Sequence, residues 1–109
     1  MERGFRFFVA PAAIIVSADG MLDQTATHFD VGCLVQNICL AAQTHNLGTC
    51  IEDQGVMFPD VVRKATGLPE SKQVIIGVAI GTPDWDFPAN AVVTHREPVQ
   101  STTTWLGFS

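Results

Sequence analysis

The chain opens on an almost unbroken run of apolar positions. Phe5, Phe7, Phe8 and Val9 are followed at once by the apolar stretch Ala12–Ser17. A continuous run of this kind is typical of a strand that is buried on both faces of a sheet. The pattern therefore predicts that the first strand is a buried one and that other elements must cover both of its faces.

The region after the first strand has apolar residues at helical spacing. The polar stretch Asp23–Thr27 predicts a loop, and the apolar positions beyond it recur every three or four residues. This spacing predicts a helix from His28 or Phe29 to Asn46, with Gly48 as its candidate C-cap. Because apolar residues extend beyond one stripe, we expect this helix to be covered on more than one side.

The second half of the chain contains shorter elements. Gly48–Gly55 predicts a short strand or an extended turn, and Pro59 suits the first turn of a second helix that stops at Gly67. Gln73–Ile80 is rich in β-branched residues and uncharged, which predicts a strand in the middle of a sheet. The stretch Thr82–Ala91 is punctuated by proline and aspartate and predicts an irregular connection.

The C-terminal tail is polar in its middle and ends in Trp105, Leu106 and Phe108. Burial of one such side chain stabilises a fold by about 2 kcal/mol. We therefore expect the tail to dock on a protein surface.

Composition adds an argument about partners. The chain has 109 residues, enough for one domain, yet 47% of them are hydrophobic and 16% are charged. This surplus favours a surface made for a partner subunit or a ligand over a core that is merely well packed. The net charge of −5 and the lack of a Lys/Arg cluster argue against nucleic acid as a partner.

Other classes of protein and site are also disfavoured. No apolar run approaches the roughly 18 residues of a membrane span, and the N-terminus lacks a convincing signal-cleavage site, which predicts a cytoplasmic protein. Cys33, Cys39 and Cys50 have no CxxC spacing, and we expect them to be buried free thiols. Since the three histidines are scattered, no metal site is predicted.

Five blocks of sequence, in this order and spacing, closely resemble the flavin-dependent nitroreductase family. They span Ala10–Ser17, Asp30–Cys50, Val61–Asp84, Pro88–Val99 and Trp105–Phe108. The resemblance implies an α+β fold, with a mostly antiparallel sheet flanked by helices in an intertwined homodimer. Residues 1–109 correspond to the C-terminal portion of such a domain, and the phosphate-binding N-terminal half of the family has no counterpart here.

The resemblance also implies a function. Family members are NAD(P)H oxidoreductases that reduce nitroaromatics, quinones or similar acceptors through FMN bound at the subunit interface. Their C-terminal tail crosses to the partner and adds a strand to its sheet, and the long helix lies at or near the dimer seam. Because FMN carries the chemistry, no catalytic side chain is predicted. The alternative is a truncated dimeric module of this fold that binds no flavin.

Two groups of cofactor-binding residues follow from the resemblance. Cys50, Ile51 and Glu52 match the segment that passes along the flavin ring, where an extended backbone offers N–H donors and an acidic side chain keeps the site polar. The alternative for Glu52 is a solvated turn.

Thr94 and Arg96 match the segment that holds the FMN phosphate. Arg96 suits a charge-assisted, bidentate contact to phosphate oxygens, and Thr94 offers a hydroxyl where relatives often have a second cation. The alternative for Arg96 is a surface ion pair with Glu97 or another carboxylate.

Overall fold

An antiparallel sheet organises the fold in the computed structural model, which describes residues 3–107. Within these residues the sheet has three strands, β1 (Ala12–Asp19), β2 (Gly48–Glu52) and β3 (Lys72–Gly81), in the order β1-β3-β2. The prediction of a central strand over Gln73–Ile80 is confirmed. Its β-branched side chains suit a position with a neighbour on each edge.

The cross-strand register decides which side chains share a face. Val78 of β3 lies opposite Ile14 of β1 and opposite Ile51 of β2. Val78 is completely buried and forms the core of the fold together with Val16 and Val35. Val35 belongs to the long helix, so this helix packs on the face of the sheet that carries Val16 and Val78.

The long helix, α1, spans Gln24–Thr44 and starts earlier than the sequence pattern predicts. The predicted loop over Asp23–Thr27 is wrong beyond its first residue. Asp23 is the N-cap, and its carboxylate accepts a hydrogen bond from the N–H of Ala26 at 2.9 Å. Polar residues in an exposed first turn are compatible with a helix when such a cap satisfies its free N–H groups.

The end of α1 also differs from the prediction. Asn46, with φ of 56°, takes the left-handed conformation that follows the helix, and Gly48 instead begins β2. In the described part of the chain, residues 3–107, no helix is long and apolar enough to cross a membrane.

The second face of the sheet is covered by two short helical turns, Gly4–Val9 and Gln54–Val56. The interpretation of Phe5–Val9 as a continuation of the first buried strand is wrong. Phe7, Phe8 and Val9 have φ values of 49°, 56° and 62°, so the backbone coils in the left-handed region and becomes extended only at Ala10.

The second helix, α2, spans Pro59–Thr66. The prediction of a helix that begins near Pro59 and stops at Gly67 is confirmed. Pro59 lies in its first turn, and Gly67 closes it in a left-handed conformation with φ of 76°. Glycine adopts that conformation without a steric penalty, which explains why the helix ends there.

The C-terminal segment contains only a short turn at Pro88–Ala91 and the four-residue helix α3 (Val99–Thr102) within the described residues. Trp105 and Leu106 remain 59% and 81% exposed, so the described residues leave more than half of the surface of each residue uncovered. Phe108, which we also expected to dock as part of the tail, lies outside the described residues.

The accessible surface is large for the size of the chain. It measures 8677 Å², whereas about 5,900 Å² is typical of a folded monomer of this mass. The radius of gyration is 17.2 Å, against about 13 Å for a domain of this length. The described residues therefore leave much more surface open than a self-sufficient domain does.

Candidate functional site

A groove of about 480 Å³ lies at the end of the sheet where β2 begins and β3 ends. The guanidinium of Arg3 lies over the ring of Phe87, 5.1 Å from its centroid, at the margin of this groove. The lining is otherwise largely apolar and includes Phe8, Pro11, Cys50 and Pro83.

Cys50 is the one predicted site residue that lines the groove. Cys50 is an exposed residue, as is Cys33, so the expectation of buried thiols is wrong for these two cysteines. Partial burial nevertheless raises the pKa of the Cys50 thiol, and the nearby charge of Glu52 raises the pKa further. Because both causes disfavour the thiolate, Cys50 is a neutral thiol at neutral pH. It contributes a small, soft wall to the groove and no nucleophile.

Ile51 lies on the opposite face of β2 from its two neighbours. It is paired with Val78, on the face that packs against α1, and remains 50% exposed. Since side chains alternate along a strand, Cys50 and Glu52 share the other face. The structure therefore divides the three predicted ring-contacting residues between the two faces.

Glu52 is only 9% exposed. Its Oε2 accepts a hydrogen bond from the N–H of Gly55 at 3.0 Å, which closes the turn after β2. Its Oε1 is buried and has no hydrogen-bond partner among residues 3–107. The interpretation of Glu52 as part of a solvated turn is therefore wrong, since the carboxyl group is turned into the protein.

Phe7 covers this carboxyl group, a role that the sequence pattern does not predict. Its ring edge lies against Gly55, where an added β-carbon would be 2.4 Å from the Cζ of Phe7 and 2.4 Å from the Oε1 of Glu52. The ring also reaches Gly77, which is the β3 partner of Glu52. The two glycines are far apart in the sequence, and only the sheet register brings them together.

Thr94 and Arg96 contact each other. The guanidinium Nη1 of Arg96 donates to the hydroxyl of Thr94, and also to the carbonyl of His95 at 3.2 Å. Both side chains belong to exposed residues. Among residues 3–107, no ion pair joins Arg96 to Glu97 or to another carboxylate, so these residues do not support the alternative interpretation of Arg96 as part of a surface ion pair.

The two predicted groups are not brought into one pocket by the described residues. Neither Thr94 nor Arg96 lines the groove that contains Cys50. No hydrogen bond joins these two residues to Cys50 or Glu52 within residues 3–107. The same range contains no group of histidine, cysteine, aspartate and glutamate side chains that could hold a metal ion.

Comparison with known proteins identifies the fold. The model of the nitroreductase family matches residues 2–82, a range that includes all three strands and Cys50–Glu52 but ends before Thr94. The chain belongs to the nitroreductase family. The α+β class and the resemblance seen in the sequence are thereby confirmed.

Individual relatives agree with this assignment. The chain is 34% identical over 106 residues to the nitrobenzene nitroreductase of Ectopseudomonas oleovorans, covering 97% of this chain and 46% of that one. It is 33% identical, with the same two coverages, to the chloronitrobenzene nitroreductase of Comamonas testosteroni. The chain therefore spans about half the length of the curated relatives it matches.

A solved structure of a nitroreductase also supports the assignment to this family. A mutant of the FMN- and NADPH-dependent nitroreductase NfnB from sphigopyxis sp. strain HMH superimposes with a TM-score of 0.89 at 25% identity. The superposition covers 98% of this chain and 49% of that one.

Proposed function

We propose that this chain is part of an FMN-dependent NAD(P)H oxidoreductase of the nitroreductase type, which reduces nitroaromatics, quinones or similar acceptors. The observation that carries the proposal is the structural similarity, over 98% of the chain, to a nitroreductase that depends on FMN and NADPH. The relatives named for nitrobenzene and chloronitrobenzene support the class of acceptor.

The described residues offer two features that fit FMN. The first is the free edge of β2, because no strand within residues 3–107 pairs with the side of β2 that faces away from β3. Free N–H groups on a strand edge suit the nitrogen and oxygen atoms of a flavin ring. Ile51 and Cys50 lie on this edge and would border the ring.

The second feature is the pair formed by Thr94 and Arg96. Their exposed guanidinium and hydroxyl groups are already side by side, and a phosphate accepts hydrogen bonds from both kinds of donor. When bound, FMN supplies the hydride chemistry. The chain's own residues bind and orient it.

The fit is incomplete within one chain. The strand edge and the phosphate donors are not joined into a closed pocket, and the surface exceeds that of a monomer of this mass by nearly half. A homodimer supplies the missing wall in this proposal. The apolar side chains that α1 leaves exposed (Phe29, Leu34 and Leu40) and the exchanged tail around Trp105 would then be covered by the partner.

One observation favours the alternative, a dimeric module without flavin. The carboxyl group of Glu52 bonds to its own turn and is covered by Phe7, so it does not keep a ring site polar. Arg96 also has to balance a phosphate of nearly two negative charges without a second cation next to it.

The experiment is a titration of the purified 109-residue chain with FMN, followed by flavin fluorescence, together with sedimentation velocity. The proposal predicts a dimer that retains flavin through desalting, loses its yellow absorbance on anaerobic addition of NADH or NADPH, and regains it with nitrobenzene. A dimer that takes up no flavin supports the alternative module. A monomer without flavin contradicts both functions.

A further inference from the structure

The ring of Phe7 fills a narrow slot on the second face of the sheet. A β-carbon on Gly55 would lie 2.4 Å from the Cζ of Phe7, and one on Gly77 would lie 2.8 Å from its Cε1. Real β-carbons do not approach other atoms so closely, so the ring edge fits here only because both residues are glycine. The slot has the shape of a flat aromatic ring.

A polar atom lies at the inner end of this slot. The Oε1 of Glu52 and the Cζ of Phe7 both lie 2.4 Å from the position that a β-carbon on Gly55 would occupy, so the oxygen and the ring edge lie against the same residue. Glu52 is about nine-tenths buried, and its Oε1 has no hydrogen-bond partner among residues 3–107. The edge of the Phe7 ring thus lies beside a buried acceptor for which residues 3–107 supply no donor.

The segment that carries Phe7 is held in an unfavourable conformation. Phe7, Phe8 and Val9 are consecutive residues with positive φ, and Val9 is β-branched, for which this region is a genuine outlier. A left-handed residue other than glycine costs about 1–2 kcal/mol. Strain in the covering segment lowers the free energy needed to move Phe7 out of the slot.

We propose that this slot is a displaceable binding site for a planar aromatic ring that carries an N–H donor, with Glu52 Oε1 as the acceptor and Phe7 as the internal occupant that the ligand replaces. The ligand class is the arylamine or arylhydroxylamine. This choice rests on the proposed function, because reduction of a nitroarene turns a group with acceptor oxygens only into one with N–H donors. The slot would therefore favour product over substrate.

The test uses the full 109-residue chain without flavin, so that loss of flavin binding does not affect the result. The ¹⁵N-labelled protein is titrated with aniline and with toluene, which has the same shape but no donor, and the amide signals of Gly55 and Gly77 are followed. In Phe7→Ala, where the occupant is removed, we expect aniline to bind at least about tenfold more tightly than to the unmodified chain.

The comparison of the two ligands separates this site from a simple cavity. An apolar cavity favours toluene, whereas a buried acceptor favours aniline, by about tenfold for a bond to a charged group. The matched control is Phe7→Ala combined with Glu52→Gln, which keeps the size of the side chain but replaces the carboxylate by an amide whose oxygen is a weaker acceptor, so the preference for aniline should fall. Phe7→Leu, which keeps apolar packing but not a flat ring, serves if Phe7→Ala does not fold.

Two results overturn the proposal. One is toluene binding as tightly as aniline in the Phe7 variants that retain Glu52. The other is the absence of any ligand-dependent shift at Gly55 and Gly77 in those variants.

Discussion

The ring of Phe7 reaches the middle of the central strand, where its Cε1 lies 2.8 Å from the position that a β-carbon on Gly77 would occupy. The carbonyl oxygen of Glu52 lies 3.3 Å from that position, and Val56 Cγ1 lies 3.4 Å from it. Gly77 is therefore the residue that allows the N-terminal segment to close the second face of the sheet.

Gly77→Ala tests this contact. We expect the free energy of unfolding to fall by about 1–3 kcal/mol, because the added methyl group overpacks a filled site. In a Phe7→Ala background the same substitution should cost less, since the ring that it meets is gone. Urea denaturation of the four proteins in this double-mutant cycle measures the coupling.

Gly32→Ala is the matched control for that cycle. An added β-carbon at Gly32 meets no atom within 4 Å, and alanine is about 1 kcal/mol better than glycine in a helix. Equal losses of stability at Gly32 and Gly77 would contradict the proposed role of the Phe7 contact.

Val9→Gly tests the backbone strain. Val9 has φ of 62°, and relief of the steric cost of about 1–2 kcal/mol outweighs the entropy that glycine loses on folding, about 0.5–1 kcal/mol. We expect a net gain in stability of about 0.5–1 kcal/mol, measured by thermal and urea denaturation.

Asn46→Gly provides the comparison, because Asn46 has a similar φ of 56° and asparagine tolerates the left-handed region well. The change in stability caused by Asn46→Gly should be clearly smaller than the change caused by Val9→Gly. If Val9→Gly stabilises the protein no more than Asn46→Gly does, strain at Val9 is negligible.

The thiol of Cys50 should become reactive only at a higher pH than an ordinary cysteine. Burial and the charge of Glu52 both raise the pKa of the thiol above its ordinary value of 9.0, so the folded chain holds less thiolate than the unfolded chain at any intermediate pH. Its alkylation rate by iodoacetamide, measured in a Cys33→Ser, Cys39→Ser background, should rise with a midpoint above 9.0.

Glu52→Gln removes the negative charge, which is one of the two causes that raise the pKa of Cys50. We expect the midpoint to move down and the rate at about pH 8 to increase a few fold, while the urea-unfolded chain shows the ordinary titration. The same linkage makes folding less favourable as the pH rises above the ordinary value, because the native state then binds more protons than the unfolded state. An unchanged midpoint in Glu52→Gln would exclude the charge effect.

Arg96→Ala tests the assignment of the phosphate donors. Loss of a charge-assisted, bidentate contact should weaken FMN binding by at least about tenfold, and Arg96→Lys should fall in between because an ammonium group does not reproduce the fork. Fluorescence titration measures both affinities. Riboflavin, which lacks the phosphate, is the control ligand, and equal weakening of riboflavin binding would place Arg96 away from the phosphate.

Part of the fold follows from local pattern. The β-branched run over Gln73–Ile80 occurs as the central strand, and the pair formed by Pro59 and Gly67 encloses α2. These elements are predictable because the residues themselves carry the conformational preference. The early start of α1 was also encoded locally, in the capping carboxylate of Asp23, but the polarity of the first turn concealed it.

The candidate site was predictable only in part. The sequence pointed to Cys50, Ile51, Glu52 and the Thr94–Arg96 pair, and the contact between the last two is short-range along the chain. Phe7, which covers the carboxyl group of Glu52, is distant from it in the sequence, and no spacing of residues connects them.

The sequence by itself determined the family, the order of strands and helices along the chain, and a surplus of apolar surface, because these depend on composition, periodicity and local preference. Only the tertiary structure decided that β3 lies between β1 and β2, that Phe7 covers Glu52, and that Trp105 and Leu106 remain largely exposed. Those outcomes depend on the register between strands and on the left-handed turn before β1. Both are set by contacts between residues that are distant in the sequence.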